Sequence, residues 1–192
     1  MLVYAGRPLF IFGLLQLLHS LSRRWARVEI FCASGFAVLI TLLILLNVVT
    51  RAMNASIYWV DEAAIYAMVW MAFLAASAGI HERSAVSVTL INDLLGPKGQ
   101  RVLGIAVDLI VLLFVALMLF FLWRWLLPLD LIRAGFDFEA FQGETFNFVY
   151  AEPTTTLGFK KIWIWSIMVI FAFGAALHAI ANLIPTREAA DQ

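Results

Sequence analysis

Few side chains in this sequence stand where a membrane or a fold would force chemistry on them. Asp108 is the seventh residue of an apolar run that opens at Val102. That is about 9 Å along a helix, where an ionised carboxylate in lipid is costly unless paired or hydrated. Arg101, two turns earlier, could reach toward it. A functional reading is an ion or proton step; the plainer one, a carboxylate satisfied at a helix or subunit interface, is favoured because no second deep acid accompanies it. Glu62 opens another apolar run, where a structural bond to Arg51, Trp59 or a partner chain is expected before catalysis. Asp61, on a different side of the same helix, is expected to be solvated. His81 and His178 would suit a haem only if they faced each other at equal depth. His81 closes one run and His178 lies further inside another, so the spacing predicts satisfied histidines and no haem. His19 lies outside the long runs. No paired carboxylates, Ser/His/Asp set, P-loop or GxGxxG stands in a suitable context, and Cys32 is alone in an apolar run, a packing residue without metal-ligand spacing. The sequence predicts no enzyme, no cofactor and no metal.

What must position these residues is a membrane-embedded bundle. Of 192 residues, 64% are hydrophobic and 14% charged, with a mean hydropathy of +0.94, which leaves too much apolar surface for a soluble chain of this size. Thirteen basic residues balance 13 acidic ones, so no nucleic-acid footprint is present. A bilayer core needs about 20 consecutive apolar residues in helix. Four runs qualify, at residues 28–50, 57–80, 102–127 and 162–184, in one domain. Glu29 is charged at the edge of the first, and Pro128 and Pro185 follow the third and fourth, where a residue without an amide proton stops a helix. Residues 1–27 form an N-terminal segment and 186–192 a tail. Within the former, Leu9 to Leu21 is too short to span. Its Gln16, His19, Ser20 and Arg23 share one helical face, which fits either a helix in the membrane interface or a simple extension of the first spanning helix.

Lys and Arg are retained on the cytoplasmic side. The tails and second loop carry Arg7, Arg23, Arg24, Arg27, Arg83, Lys98, Arg101 and Arg187, against Arg51, Arg133, Lys160 and Lys161 opposite. Both termini are therefore expected inside. Trp59, Trp123, Trp125, Trp163 and Trp165 fall at the expected outer ends, where indoles meet headgroups. The second loop, with its apolar Val86, Val88, Leu90 and Ile91, is a compact connector that could lie on the membrane surface. The third, residues 128–161, is rich in Phe and Tyr and too aromatic for a solvated linker. It is expected to pack as an outer lid.

Along the second run, Ser56 is the expected N-cap, and Trp59, Glu62, Tyr66 and Trp70 recur at spacings of three and four. Ala72, Ala75, Ala76 and Gly79 form a small-residue set matched by Ala172, Ala175, Ala176 and Ala179 in the fourth run, so close pairing of the two helices is expected. At this segment the sequence resembles the small membrane subunit (DctQ-like, or Q, subunit) of tripartite ATP-independent periplasmic (TRAP) transporters. The likeness rests on Arg51, on Trp59 and Glu62 as a W-x-x-E pair, and on the stretch from Trp70 through Ala76 into Ile80, His81, Glu82 and Arg83. With the four-run layout it covers most of residues 25–185.

The resemblance implies an all-α integral membrane subunit of the bacterial inner membrane, and the candidates for partner-interface or structural roles are Arg51, Trp59, Glu62, Tyr66, Trp70 and, from its depth alone, Asp108. It implies pairing with a large multi-helix subunit that holds the substrate and ion sites, and delivery of an organic acid by a periplasmic solute-binding protein. The small subunit is then scaffold in an elevator-type carrier. The alternative is a structural accessory subunit of another assembly, photosynthetic or respiratory, built on the same scaffold. An autonomous transporter or redox protein would need a deep acid pair or facing histidines.

Overall fold

The computed structural model describes residues 9–82 and 96–184. The apolar connector at Val86 to Ile91, the tail 186–192 and residues 1–8 lie outside them. Six helices follow in order: α1 Leu9–Ala52, α2 Tyr58–Glu82, α3 Pro97–Leu126, α4 Pro128–Arg133, α5 Phe138–Thr145 and α6 Ile162–Leu183. Helices α1, α2, α3 and α6 are each long and apolar enough to cross a membrane. The all-helical, four-span fold class is therefore observed, and among the described residues the β structure is a single bridge, Pro153 to Lys160.

The first helix is longer than its apolar run. At 44 residues it measures about 66 Å, twice the roughly 30 Å of a hydrocarbon core. Of the two readings of residues 9–21, the structure forms the extension: the polar face continues the spanning helix without a break. The chain then reverses at Asn54, which takes φ 56°, a left-handed conformation that Asn tolerates better than most residues. Helix α2 starts at Tyr58, so Ser56 stands one residue outside the cap position and is not the N-cap. Helix α3 begins with Pro97 at its first position, where the missing amide costs nothing. It stops at Leu127, held left-handed at φ 45° with its N–H on the Trp123 carbonyl, and Pro128 opens α4.

Helix α6 is the centre of the bundle and packs against α1, α2 and α3. On its buried side lie Ile167, Phe171, Ala172, Gly174, Ala175, His178 and Ala179, with Ala176 half-buried. Leu74 and Ala33 meet Ile167, and Val115 meets Phe171 and Ala175. The α2 small-residue set requires correction: Ala72, Ala75 and Ala76 are exposed and Gly79 is half-buried. The α2 residues that close the contact are Ala67, Leu74, Ser77 and Ala78. Because α2 must touch both α1 and α6, its buried stripe is centred between those two neighbours. Residue size alone carries no information about that rotation.

The segment after α3 packs as a separate small core, with Leu131, Phe141 and Val149 buried beneath Trp125, Phe138, Tyr150 and Trp165. Asp137 caps α5 by accepting from the amides of Glu139 and Ala140. This core is fastened to the end of α3 through carbonyls that a helix terminus leaves unpaired. The Asn147 amide donates to Trp125 O at 2.7 Å and the Tyr150 hydroxyl to Leu126 O at 2.6 Å. Burial pushes the Tyr150 phenol above its ordinary pKa, so it remains a donor.

Candidate functional site

Two carboxylates organise the molecule, one at each end of α2. At the loop-bearing end, Glu62 lies in the first turns of α2 and meets the stretch between the Pro153–Lys160 bridge partners. Its Oε1 accepts from the Thr155 amide at 2.8 Å and the Tyr66 hydroxyl at 2.8 Å. Its Oε2 accepts from the Thr156 amide at 2.6 Å, the Thr156 hydroxyl at 2.6 Å and the Leu157 amide at 3.2 Å. Three successive backbone N–H groups thus converge on one carboxylate, the arrangement by which polypeptide holds an anion. The stretch is shaped for this by Gly158 at φ 77° and by Thr154, whose amide and hydroxyl donate to the Phe159 carbonyl at 2.8 and 2.9 Å while its Oγ1 accepts from the Phe159 amide at 3.2 Å. Lys161 and Glu152 close its base at 2.6 Å.

The partners expected for Glu62 differ from those observed. Arg51 instead pairs with Asp61 at 2.6 Å and reaches Asn47 Oδ1 at 2.9 Å, while the Asn47 amide donates to Asp61. Asp61 is therefore paired, not simply solvated: the short turn between α1 and α2 brings the last turn of one beside the first turn of the other. Trp59 is exposed at 43%. Trp70 packs on Phe36 with ring centres 5.6 Å apart, and both line an apolar groove of about 280 Å³ with Tyr66, Ala67, Leu157 and Phe159.

At the other end, Glu29 is buried to 1% exposure in a cluster drawn from three helices. Its Oε2 lies 2.9 Å from His178 Nε2. The other ring nitrogen of His178, Nδ1, is 2.7 Å from the Ser22 hydroxyl, which is also 2.8 Å from His81 Nδ1. Gly174 sits beneath this cluster. A Cβ at that position would fall 2.5 Å from Glu29 Oε1, 2.7 Å from Trp25 Nε1 and 2.8 Å from Ser77 Oγ, so glycine is required for the approach of α6. Those same three polar atoms are buried without a hydrogen-bond partner, a costly condition in a protein interior. Asn182 adds a bond to the Ile80 carbonyl at 2.7 Å.

Sequence reasoning missed this cluster. Hydropathy begins at Glu29, which makes it read as a helix edge, whereas the helix continues through it. The expectation that His81 and His178 differ in depth is also corrected: their rings lie 5.1 Å apart. Both Nδ1 atoms turn to a hydroxyl between them, a hydrogen-bonding geometry and not the axial pair of a haem. A signal did exist, since Ser22 and Glu29, Ser77 and His81, and Gly174 and His178 stand at spacings of seven, four and four, each pair on one helical face. Asp108 is buried on the face of α3 that carries Val111 and Val115, and Arg101 is exposed. Among the described residues no group of three or more His, Cys, Asp or Glu side chains is arranged to hold a metal ion.

The family model described as tripartite ATP-independent periplasmic transporters, DctQ component, matches residues 40–188. A curated Haemophilus influenzae protein, named "Putative TRAP transporter small permease protein", is 38% identical over 86 residues, covering 44% of this chain and 53% of that protein. The match thus spans about half of the relative's length. No solved structure matches the chain.

Proposed function

From the premise that the chain belongs to the DctQ component family of tripartite ATP-independent periplasmic transporters, we propose that it is the small scaffold subunit of such a transporter. That family is one of transporter subunits and not of enzymes. In this reading the chain lies in the bacterial inner membrane with both termini in the cytoplasm. It supports a large multi-helix carrier subunit, and a periplasmic solute-binding protein delivers an organic acid whose uptake is coupled to an ion.

The observation that supports a scaffold role is the distribution of apolar surface. Helix α1 exposes Phe31, Val38, Leu42, Leu45 and Val49, and α3 exposes Ile105, Ile110, Leu113, Phe114 and Phe121. Both helices are covered on one side only, α1 by α2 and α6 and α3 by α6. Lipid is as apolar as these side chains, so the faces are suited to a second membrane protein or to lipid without a large hydrophobic term deciding between them. The core between the helices is filled by Ile167, Phe171 and Val115, which favours a supporting role over a conduit.

The test is purification of a tagged chain from its native host in mild detergent, with mass spectrometry of what remains bound. Recovery of a large polytopic subunit, with a solute-binding protein at lower yield, supports the reading. Recovery with photosynthetic or respiratory subunits removes it in favour of an accessory role. Reporters at each terminus test the orientation; periplasmic activity at the C-terminus overturns it.

A further inference from the structure

Glu29, His178, Ser22 and His81 form an unbroken series of contacts at 2.9, 2.7 and 2.8 Å. One end of the series is closed, since Glu29, His178 and Ser22 are exposed by only 1%, 0% and 0%. His81, at the end of α2, is the one member of the four that is partly exposed. With Glu29 ionised and His178 neutral, every donor and acceptor in the series follows. An ionised carboxylate only accepts, so His178 carries its hydrogen on Nε2 and, as a neutral ring, offers a lone pair at Nδ1. Ser22 must donate to that lone pair, and its oxygen accepts from Nδ1–H of His81. This leaves His81 with a lone pair on Nε2. All three hydrogen bonds point the same way, toward Glu29.

We propose that this series is a proton-binding wire, loaded at His81 and storing one proton on the Glu29–His178 pair. On loading, a proton from water bonds to Nε2 of His81. The Nδ1–H bond of His81 breaks and its proton passes to Ser22 Oγ, while the hydroxyl's own proton passes to Nδ1 of His178. His81 ends neutral with its hydrogen on Nε2, Ser22 is again a hydroxyl, and His178 is an imidazolium against a carboxylate. Unloading is the reverse, and no other reactant is needed.

Storage is favoured at the closed end because Glu29 is an incompletely compensated anion: Oε2 has the imidazole, and Oε1 has no hydrogen-bond partner. A proton on His178 supplies the missing positive charge, and the two groups hold it as a unit. The other titratable or charged groups nearby are His19, one turn before Ser22 on α1, and Arg23 and Glu82, of opposite sign, beside His81. Asp108 is buried on the face of α3 that packs on α6. The wire stands whether or not the transporter reading holds, because its test follows the proton and not transport.

The chain contains three histidines, so the full chain with ¹⁵N-labelled histidine in lipid nanodiscs gives three pairs of ring-nitrogen signals, assignable by single substitutions. As pH is lowered, the expected result is that His178 becomes protonated on both nitrogens while His81 stays neutral and moves its hydrogen from Nδ1 to Nε2. In Ser22→Ala the transfer is broken: His81 takes and keeps the proton, and His178 does not titrate in the same range. Ser22→Thr retains the hydroxyl and restores the wild-type pattern. If wild-type His81 keeps its proton with the His178 tautomer unchanged, or if Ser22→Ala leaves the pattern intact, the wire is overturned. Should Ser22→Ala fail to fold, the wild-type tautomer change decides alone.

Discussion

Glu62 and Glu29 are both carboxylates on spanning helices, yet they are satisfied in opposite ways. Glu62 accepts five hydrogen bonds, four of them from the stretch at residues 155–157. Glu29 has one bonded oxygen and one orphan, enclosed by α1, α2 and α6. The first arrangement ties a loop to a helix and can open without disturbing the bundle. The second sits inside the helix contacts and cannot change without them. A carboxylate held by a loop thus acts as a fastening, whereas one enclosed between helices becomes a condition for folding.

Substitutions should separate the two regions by size of effect. His178→Ala leaves the Glu29 carboxylate buried without its partner and is expected to cost about 3–5 kcal/mol, read as a fall in the midpoint of thermal or denaturant unfolding in detergent. A midpoint within a degree of wild type would mean that Glu29 is already neutral or hydrated. Gly174→Ala places a methyl group against three buried polar atoms and should cost about 1–3 kcal/mol by the same measurement. Glu62→Gln keeps the shape but halves the acceptor capacity and adds donors facing donors. Amide exchange at Thr155, Thr156 and Leu157 should accelerate several-fold while exchange in α6 is unchanged; acceleration in α6 would erase the distinction between the ends. Arg51→Ala removes a pair whose side chains are 61% and 49% exposed, and should change stability by less than about 1 kcal/mol.

Much of the architecture was legible because lipid is a demanding solvent: long apolar runs and prolines at their ends mark the helices whatever their neighbours. The aromatic density after Pro128 likewise announced a packed segment, since Phe141 and its neighbours could not remain in water. What hydropathy cannot report is rotation about a helix axis. That is why Ala72, Ala75 and Ala76 suggest a contact from their size although the buried positions are Leu74, Ser77 and Ala78. It also averages over single charges, so Glu29 passed for a boundary when it is the centre of a cluster. The partners of Glu62 depended on which loop returned to α2, a matter of tertiary path and not of local pattern.

The uninterrupted length of α1 has a mechanical consequence. Its last fixed point in the bundle is Ser22, held between His81 and His178, and the helix runs from there back to Leu9 without a proline, an arm of about 20 Å. A rod pivoting at that point converts a tilt of about 10° into a sideways travel of about 3.5 Å at its tip, as simple geometry from the helical rise requires. Small adjustments among the packed helices would be magnified, and delivered to whatever touches the far end as a displacement of roughly two residues' rise along a helix.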